Sequence, residues 1–300
     1  MKKYIVYQID SFTKEAFKGN PAGVVLNADG LTETQMQMIA RELNNSETSF
    51  LFSPDGSDCD GVIRYFTPKT EVPTCGHATI AAMYAKAVAE NLGSSVYRMR
   101  TQIGILPFEI VKGDSDYKVL MTQGKIEFGT VFDGELKEKI IKALDLEEDD
   151  LNENCPIQIV STGHSKVMIG IKKRLRLNQL SPHFSELSEL SRIINCNGYF
   201  VFTLDSDSND ILTYGRMFAP AIGVHEDPVT GNANGPLGAY LVHHGLVDNS
   251  KNEFSFKGKQ GEAIHRLGTV EVKVQIVNYQ PVEVQIAGVA VIVFKTEIEM

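Results

Sequence analysis

The amino-acid sequence predicts an α+β protein built as two pseudo-symmetric halves. Three observations carry that prediction. Short segments recur in the same order at a spacing near half of the 300-residue chain. Helical and strand periods follow one another in the same order in both halves. A glycine segment opens a small-residue helix once in each half, at Cys75-Gly76-His77-Ala78 and at Thr230-Gly231-Asn232-Ala233.

The repeat comes first. Arg64-Tyr65-Phe66-Thr67-Pro68 matches Arg216-Met217-Phe218-Ala219-Pro220, an offset of 152. Gly76 matches Gly231 at 155. Thr48 to Phe52 matches Gly198 to Phe202 at 150, and Arg41 matches Arg192. This period is far longer than that of solenoid repeats, so it reads as duplicated domains. A site formed between them would be pseudo-symmetric.

The elements follow. The stretch after Lys2-Lys3 is interrupted by Gln8, Asp10 and Ser11 and reads as a first strand rather than a signal peptide. Gly23 to Leu26 is a strand. Thr32 to Asn44 is a helix, with Thr32 and Gln35 as a capping box and Met36, Ile39, Ala40 and Leu43 on one face. Strands are expected through Phe52 and over Ile63–Phe66, then a helix over Ala78–Asn91. The second half repeats the scheme. It has a strand over Lys166–Ile171, a helix over Phe184–Asn195, strands over Tyr199–Leu204 and Leu212–Phe218, and a helix over Pro236–His244. Alternating residues predict final strands over Val270–Val277 and Val282–Phe294. The halves are expected as 1–125 and 126–300, with the last strand or strands of the chain allowed to cross back to the first. The acidic patch Glu147–Asn154, near the midpoint, reads as the inter-domain loop.

Composition narrows the function. A net charge of −9 disfavours nucleic-acid backbones. No apolar run is long enough to span a membrane. Four scattered cysteines form no CxxC pair, which argues against a zinc ribbon and points to reduced thiols and the cytoplasm.

The chemistry converges on the two glycine segments. The first N–H groups of a helix lack internal partners and carry partial positive charge, so Gly76 and Gly231 offer two places for a carboxylate. The alternative is a glycine that only permits a sharp turn. In the first turn of its helix, His77 is disfavoured as imidazolium and suits proton relay; the alternative is a histidine that caps the helix. Asp227, fixed extended by Pro228, could orient a histidine; the alternative is a turn cap. Glu47, at the start of an apolar strand, reads from the residues alone as a solvated strand-end carboxylate; the alternative is an acid/base whose pKa burial would raise. Cys75 at a helix start is a candidate thiolate, but its counterpart is Thr230. A racemase with one thiol on each side of the carbon is therefore excluded as far as the repeat holds. Asn232 is the counterpart of His77.

These segments resemble the PhzF family of phenazine-biosynthesis-type isomerases, in its YddE-like branch. The resemblance runs nearly end to end. It includes Asp10-Ser11-Phe12-Thr13, Phe17 to Val24, Ser46-Glu47-Thr48, Arg64 to Pro68, Cys75 to Thr79 and Glu226 to Gly231. It implies the diaminopimelate epimerase-like fold, in which each half is a curled, mostly antiparallel sheet around a central helix. It also implies a homodimer, no metal and no organic cofactor. The family's proton-moving glutamate matches Glu47, and its site histidine, glycine and aspartate match His77, Gly76 and Asp227. Two departures stand out. Asn232 replaces the phenazine enzyme's serine, and Cys75 resembles the cysteine of proline racemases and of hydroxyproline dehydratases, which pair it with a threonine. The expected function is a cofactor-independent isomerase that moves a proton on a small carboxylate. The rivals are a racemase, epimerase or dehydratase using Cys75 with Thr230, and a non-catalytic ligand- or partner-binding protein.

Overall fold

The capping box at Thr32 starts the first helix where the sequence expects it. The Gln35 N–H bonds back to the Thr32 hydroxyl, and the Gln35 side chain accepts from the Thr32 N–H. In the computed structural model, which describes residues 2–300, that helix lies in the first of two units. One unit comprises residues up to Thr122 together with Ala287–Met300; the other is Gln123–Ile286.

The first unit contains β1 (Lys3–Ser11), β2 (Asn20–Val25), α1 (Glu33–Leu43), β3 (Thr48–Phe52), β4 (Gly61–Phe66), β5 (Glu71–Val72), α2 (Gly76–Glu90), β6 (Ser95–Thr101), β7 (Gly104–Lys112) and β8 (Tyr117–Thr122). β1 pairs antiparallel with β2, β3 with β4, β4 with β5, β6 with β7 and β7 with β8, while β2–β3 and β4–β6 are parallel. The sheet wraps α2, which packs on β1, β2, β3, β7 and β8. α1 covers the other face through Met36, Ile39 and Ala40, which cluster with Val25, Phe50 and Phe66. With a helix on each side, β3 is buried almost throughout, which explains its unbroken apolar run.

The second unit repeats this plan. It contains β9 (Ile126–Val131), α3 (Gly134–Ala143), β10 (Gln158–Thr162), β11 (Lys166–Ile171), α4 (Arg174–Gln179), α5 (Phe184–Ile194), β12 (Tyr199–Thr203), β13 (Thr213–Ala219), β14 (Val224–Asp227), α6 (Gly231–His243), β15 (Glu253–Gln260), β16 (Gly268–Val277) and β17 (Gln280–Gly288). β10–β11, β12–β13, β13–β14 and β15–β16 are antiparallel, and β11–β12 and β13–β15 are parallel. Each pairing matches one in the first unit. α6 takes the place of α2, against β10, β11, β15 and β16. It approaches closely because Gly238 has no side chain; a Cβ there would lie 2.8 Å from Val272 Cγ1. α5 takes the place of α1. Both helices end on an asparagine in the left-handed conformation, Asn44 and Asn195. A last strand, β18 (Ala290–Glu299), pairs antiparallel with β1, as β9 pairs with β10.

Several expectations need correction. Thr48 faces Phe66 and Tyr199 faces Phe218, so the β3/β12 offset is 151 rather than 150. The shift matters because strand side chains alternate. Phe50 and Val201 lie on the outer face with α1 and α5, whereas Phe202 meets Tyr240 of α6. Matching aromatic to aromatic had put opposite faces together. The expected Val282–Phe294 strand is two strands, broken at Val289. The Glu147–Asn154 patch lies inside the second unit and includes a short 3-10 turn at Glu148–Asp150. Pro236 does not begin a helix. It sits inside α6, whose start is Gly231. The proline removes one helical hydrogen bond, a cost of about 3 kcal/mol, set against the packing of a helix whose residues are nearly all buried.

Candidate active site

α2 begins at Gly76 and α6 at Gly231, each after an extended residue, Cys75 or Thr230. Neither side chain caps its helix. Neither glycine has a positive φ, so the turn itself does not require glycine. The first N–H groups at both starts therefore lack a side-chain acceptor and keep the partial charge that attracts an anion.

At the α2 start the groups are titratable. His77 is 7% exposed. Its Nε2 lies 3.3 Å from Glu47 Oε2 and 3.2 Å from Ser46 Oγ, and its Nδ1 lies 3.4 Å from Cys75 Sγ. An ionised carboxylate only accepts, so the ring N–H belongs on Nε2, and Nδ1 is left to accept from the Cys75 thiol. The result is a chain running from Cys75 through His77 to Glu47. One oxygen, one sulfur and one nitrogen of these residues also lie within 4.8 Å of one another. The imidazole meets its two neighbours through opposite nitrogens, however, which suits a relay better than ligands converging on one ion. The helix is pinned by Ser11 and Ser49, whose hydroxyls donate to the carbonyls of His77 and Ala78, each at 2.8 Å. Thr79 donates to the Cys75 carbonyl at 2.7 Å, so its other neighbour, the Tyr65 hydroxyl, donates to Thr79 at 2.6 Å. Burial pushes the Tyr65 hydroxyl well above its usual pKa, so it remains a donor. Glu47 itself is held just before β3, where its carbonyl accepts from the Gly23 N–H at 3.2 Å.

At the α6 start the groups are amides and hydroxyls. The Thr230 hydroxyl donates to the Asp227 carboxylate. Gln260, 1% exposed, ties this turn together: its Nε2 donates to the Asp227 carbonyl at 2.7 Å and to Thr230 Oγ at 3.1 Å, while its Oε1 accepts from the Thr230 N–H at 3.0 Å. Gln123 Nε2 donates to Asn232 Oδ1 at 3.0 Å and to the Gly231 carbonyl at 3.3 Å. Lys166 enters β11 with its stem along Gly198, where a Cβ would come within 2.4 Å of Lys166 Cδ. Burial lowers its pKa, opposed by the nearby Cys196 and Asp227.

The structure thus brings Glu47, His77, Cys75 and Gly76 together in the first unit, and Asp227, Thr230, Gly231 and Asn232 together in the second. Sequence reasoning missed Gln123, Gln260 and Lys166. Gln260 and Thr230 are 30 residues apart and Gln123 and Asn232 are 109 apart, so no local pattern marks them. Gly198 beside Lys166 was the one available signal.

A mostly antiparallel sheet folded twice, each time around a buried helix, is the diaminopimelate epimerase-like fold. Comparison with known proteins agrees. The family described as phenazine biosynthesis-like protein matches residues 9–296. An uncharacterised isomerase of Clostridium acetobutylicum is 62% identical, covering 99% of both chains. The trans-2,3-dihydro-3-hydroxyanthranilate isomerase of Pseudomonas chlororaphis is 32% identical over 83% of this chain and 82% of its own. A Bacillus anthracis protein of the PhzF family superposes with a TM-score of 0.90 at 34% identity, covering 100% of both chains. A crystal structure described as that of a "probable proline racemase" from Agrobacterium radiobacter shares the fold at a TM-score of 0.66 and 12% identity, covering 99% of this chain and 93% of its own. The chain belongs to the PhzF family and is an isomerase. That sets aside the non-catalytic alternative. No helix among the described residues is long and apolar enough to cross a membrane.

Proposed function

We propose that this isomerase moves a proton between carbons of a small carboxylate by general acid/base catalysis, without a cofactor. The observation that carries the reading is the Glu47–His77 contact of 3.3 Å at a helix start that no side chain caps. Glu47 takes a proton from one carbon as a carboxylate and returns it to another as the acid, so the product keeps the substrate's formula. His77 holds Glu47 and relays the proton. Asp227 positions the substrate from the second unit. The helix starts at Gly76 and Gly231, with Asn232, hold the carboxylate and the negative charge that develops on it. This reading takes the working protein to be a cytoplasmic homodimer; sedimentation would test the dimer.

The experiment is solvent-deuterium incorporation into a panel of small carboxylates that includes trans-2,3-dihydro-3-hydroxyanthranilate, the compound named for the Pseudomonas relative. Exchange that survives Glu47→Gln undiminished rejects the assignment. One observation supports a second reading: Cys75 lies 3.4 Å from His77 Nδ1, close enough for the imidazole to activate a thiol. Under that reading Cys75 and Thr230 carry a racemisation, epimerisation or dehydration. Substrate-protected iodoacetamide inactivation, with activity lost in Cys75→Ser, would favour it.

A further inference from the structure

We propose that Gln123 is a positioning residue that locks the Asn232 carboxamide with its NH2 outward, so that the α6 start accepts an oxygen acceptor and rejects an ammonium group. This rests on the reading that α6 holds the substrate's anionic end.

The orientation follows from what each atom can do. The Gly231 carbonyl only accepts, so the Gln123 atom 3.3 Å from it is the amide nitrogen. The Thr162 hydroxyl, 2.6 Å from the other end of the Gln123 amide, is then the donor to Oε1. The same Gln123 nitrogen lies 3.0 Å from the Asn232 side chain, so the Asn232 atom there is the acceptor Oδ1. Nδ2 is then the opposite end, and it bonds to no other described residue. The backbone N–H groups of Gly231 and Asn232 are also without partners among the described residues. The Gly231 and Asn232 N–H groups and Asn232 Nδ2 therefore form a donor-only face, beside the Asp227 carboxylate that the Thr230 hydroxyl engages.

The helix is shaped for this contact. A Cβ on Gly235 would lie 1.8 Å from Gln123 Oε1, so the amide fits only because residue 235 lacks a side chain. Thr162 is buried and anchors Gln123 from β10. A serine at 232 could rotate its hydroxyl to donate or accept, whereas an asparagine held at one end cannot. The lock makes Asn232 selective for a carboxylate or carbonyl oxygen, and an amino acid's ammonium group must lie elsewhere.

The test uses the full ¹⁵N-labelled chain, with benzoate and benzylammonium as probes, read by the Gly231 and Asn232 backbone amides and the Asn232 side-chain NH2. In the wild type, benzoate shifts all three signals and benzylammonium shifts none. Asn232→Ala weakens benzoate about tenfold, the loss of one charge-assisted hydrogen bond. Gln123→Met, of similar length but without polar atoms, weakens it about threefold by freeing Asn232 to rotate. The double variant matches Asn232→Ala alone, because Gln123 acts through Asn232. Additive losses, an unchanged Gln123→Met, or a wild type whose three signals ignore benzoate would each overturn the proposal. A merely structural Gln123 would lower the Tm and add its loss to that of Asn232→Ala. Glu47→Gln should bind benzoate like the wild type. A Glu47→Gln enzyme that retains turnover alongside a non-additive cycle rejects the catalytic assignment alone. Additivity alongside a dead Glu47→Gln enzyme rejects the Gln123 assignment alone.

Discussion

The two helix starts hold the same place in their units and carry opposite kinds of chemistry. At α2 the side chains are a thiol, an imidazole and a carboxyl, those of Cys75, His77 and Glu47. At α6, the groups bonded around Gly231 are the hydroxyl of Thr230 and the amides of Asn232, Gln123 and Gln260. Both starts are uncapped, so both keep the ability to bind an anion. Under the proposed reading, both copies keep the anion-binding device and the acid/base groups of the reaction lie in one. The second copy holds titratable groups of its own: the Asp227 carboxylate, which accepts a hydrogen bond from Thr230, and Lys166, whose pKa burial lowers.

The sharpest way to break this comparison is to disable each start in turn. Glu47→Gln should cut turnover by about 10²- to 10⁴-fold with little change in KM. Asn232→Ala should mainly raise KM, by about tenfold. Steady-state kinetics on any substrate found by deuterium exchange will separate them, and the reverse pattern would mean that the chemistry resides at α6.

A second comparison concerns stability. Each unit clamps a short strand to its neighbour with a two-pronged arginine–glutamate pair: Arg64 to Glu71 at 2.6 Å and 2.6 Å, and Arg216 to Glu226 at 3.0 Å and 2.7 Å. The second pair is more enclosed, with side chains 8% and 11% exposed against 28% and 15%. Arg216 also donates to the Leu177 and Leu180 carbonyls, whereas Arg64 has Glu33 as another partner. Glu226→Ala, which strands a buried guanidinium, should destabilise by about 3–5 kcal/mol. Glu71→Ala should cost about 1 kcal/mol. Denaturant melts of both variants measure the difference.

Cys75→Thr makes the two helix starts more alike. If Glu47 carries the proton, the variant should keep turnover within about tenfold of the wild type, since only a positioning contact to His77 changes. A loss on the scale of Glu47→Gln would move the chemistry to the thiol.

The smallest expected effect is on acid stability. The paired Arg64 hydrogen bonds hold the Glu71 carboxyl below its ordinary value of 4.5. A carboxyl lowered by folding adds stability that is complete above its unfolded pKa and is lost as pH falls through its folded pKa. The Tm gap between wild type and Glu71→Gln should therefore narrow as the pH drops from about 6 to about 3. A gap that widens on acidification would contradict the direction.

Much of this was legible in the chain because the signals were local. The Thr32–Gln35 capping box and the glycine helix starts each lie within a few residues. The duplicated arginines matched correctly because a two-pronged charge pair demands one residue type. The β3/β12 alignment slipped by one because aromatic residues serve either face of a strand buried on both sides. Pro236 misled because helix packing can outweigh a lost hydrogen bond. Gln123 and Gln260 were invisible because an amide that bonds to groups far along the chain leaves no pattern in its neighbours.

β18 gives the architecture a direction in time. Its pairing with β1 joins Lys3 to Glu299 and Ser11 to Ala290, so the strand made first waits for the strand made last. Synthesis proceeds from the N-terminus at about 5–20 residues per second. The later unit, contiguous from Gln123 to Ile286, can close on itself while the earlier one still shows an open sheet edge at β1. A chain released before Ala290 is made would carry one closed unit and an unpaired β1 edge, the kind of edge that recruits other chains.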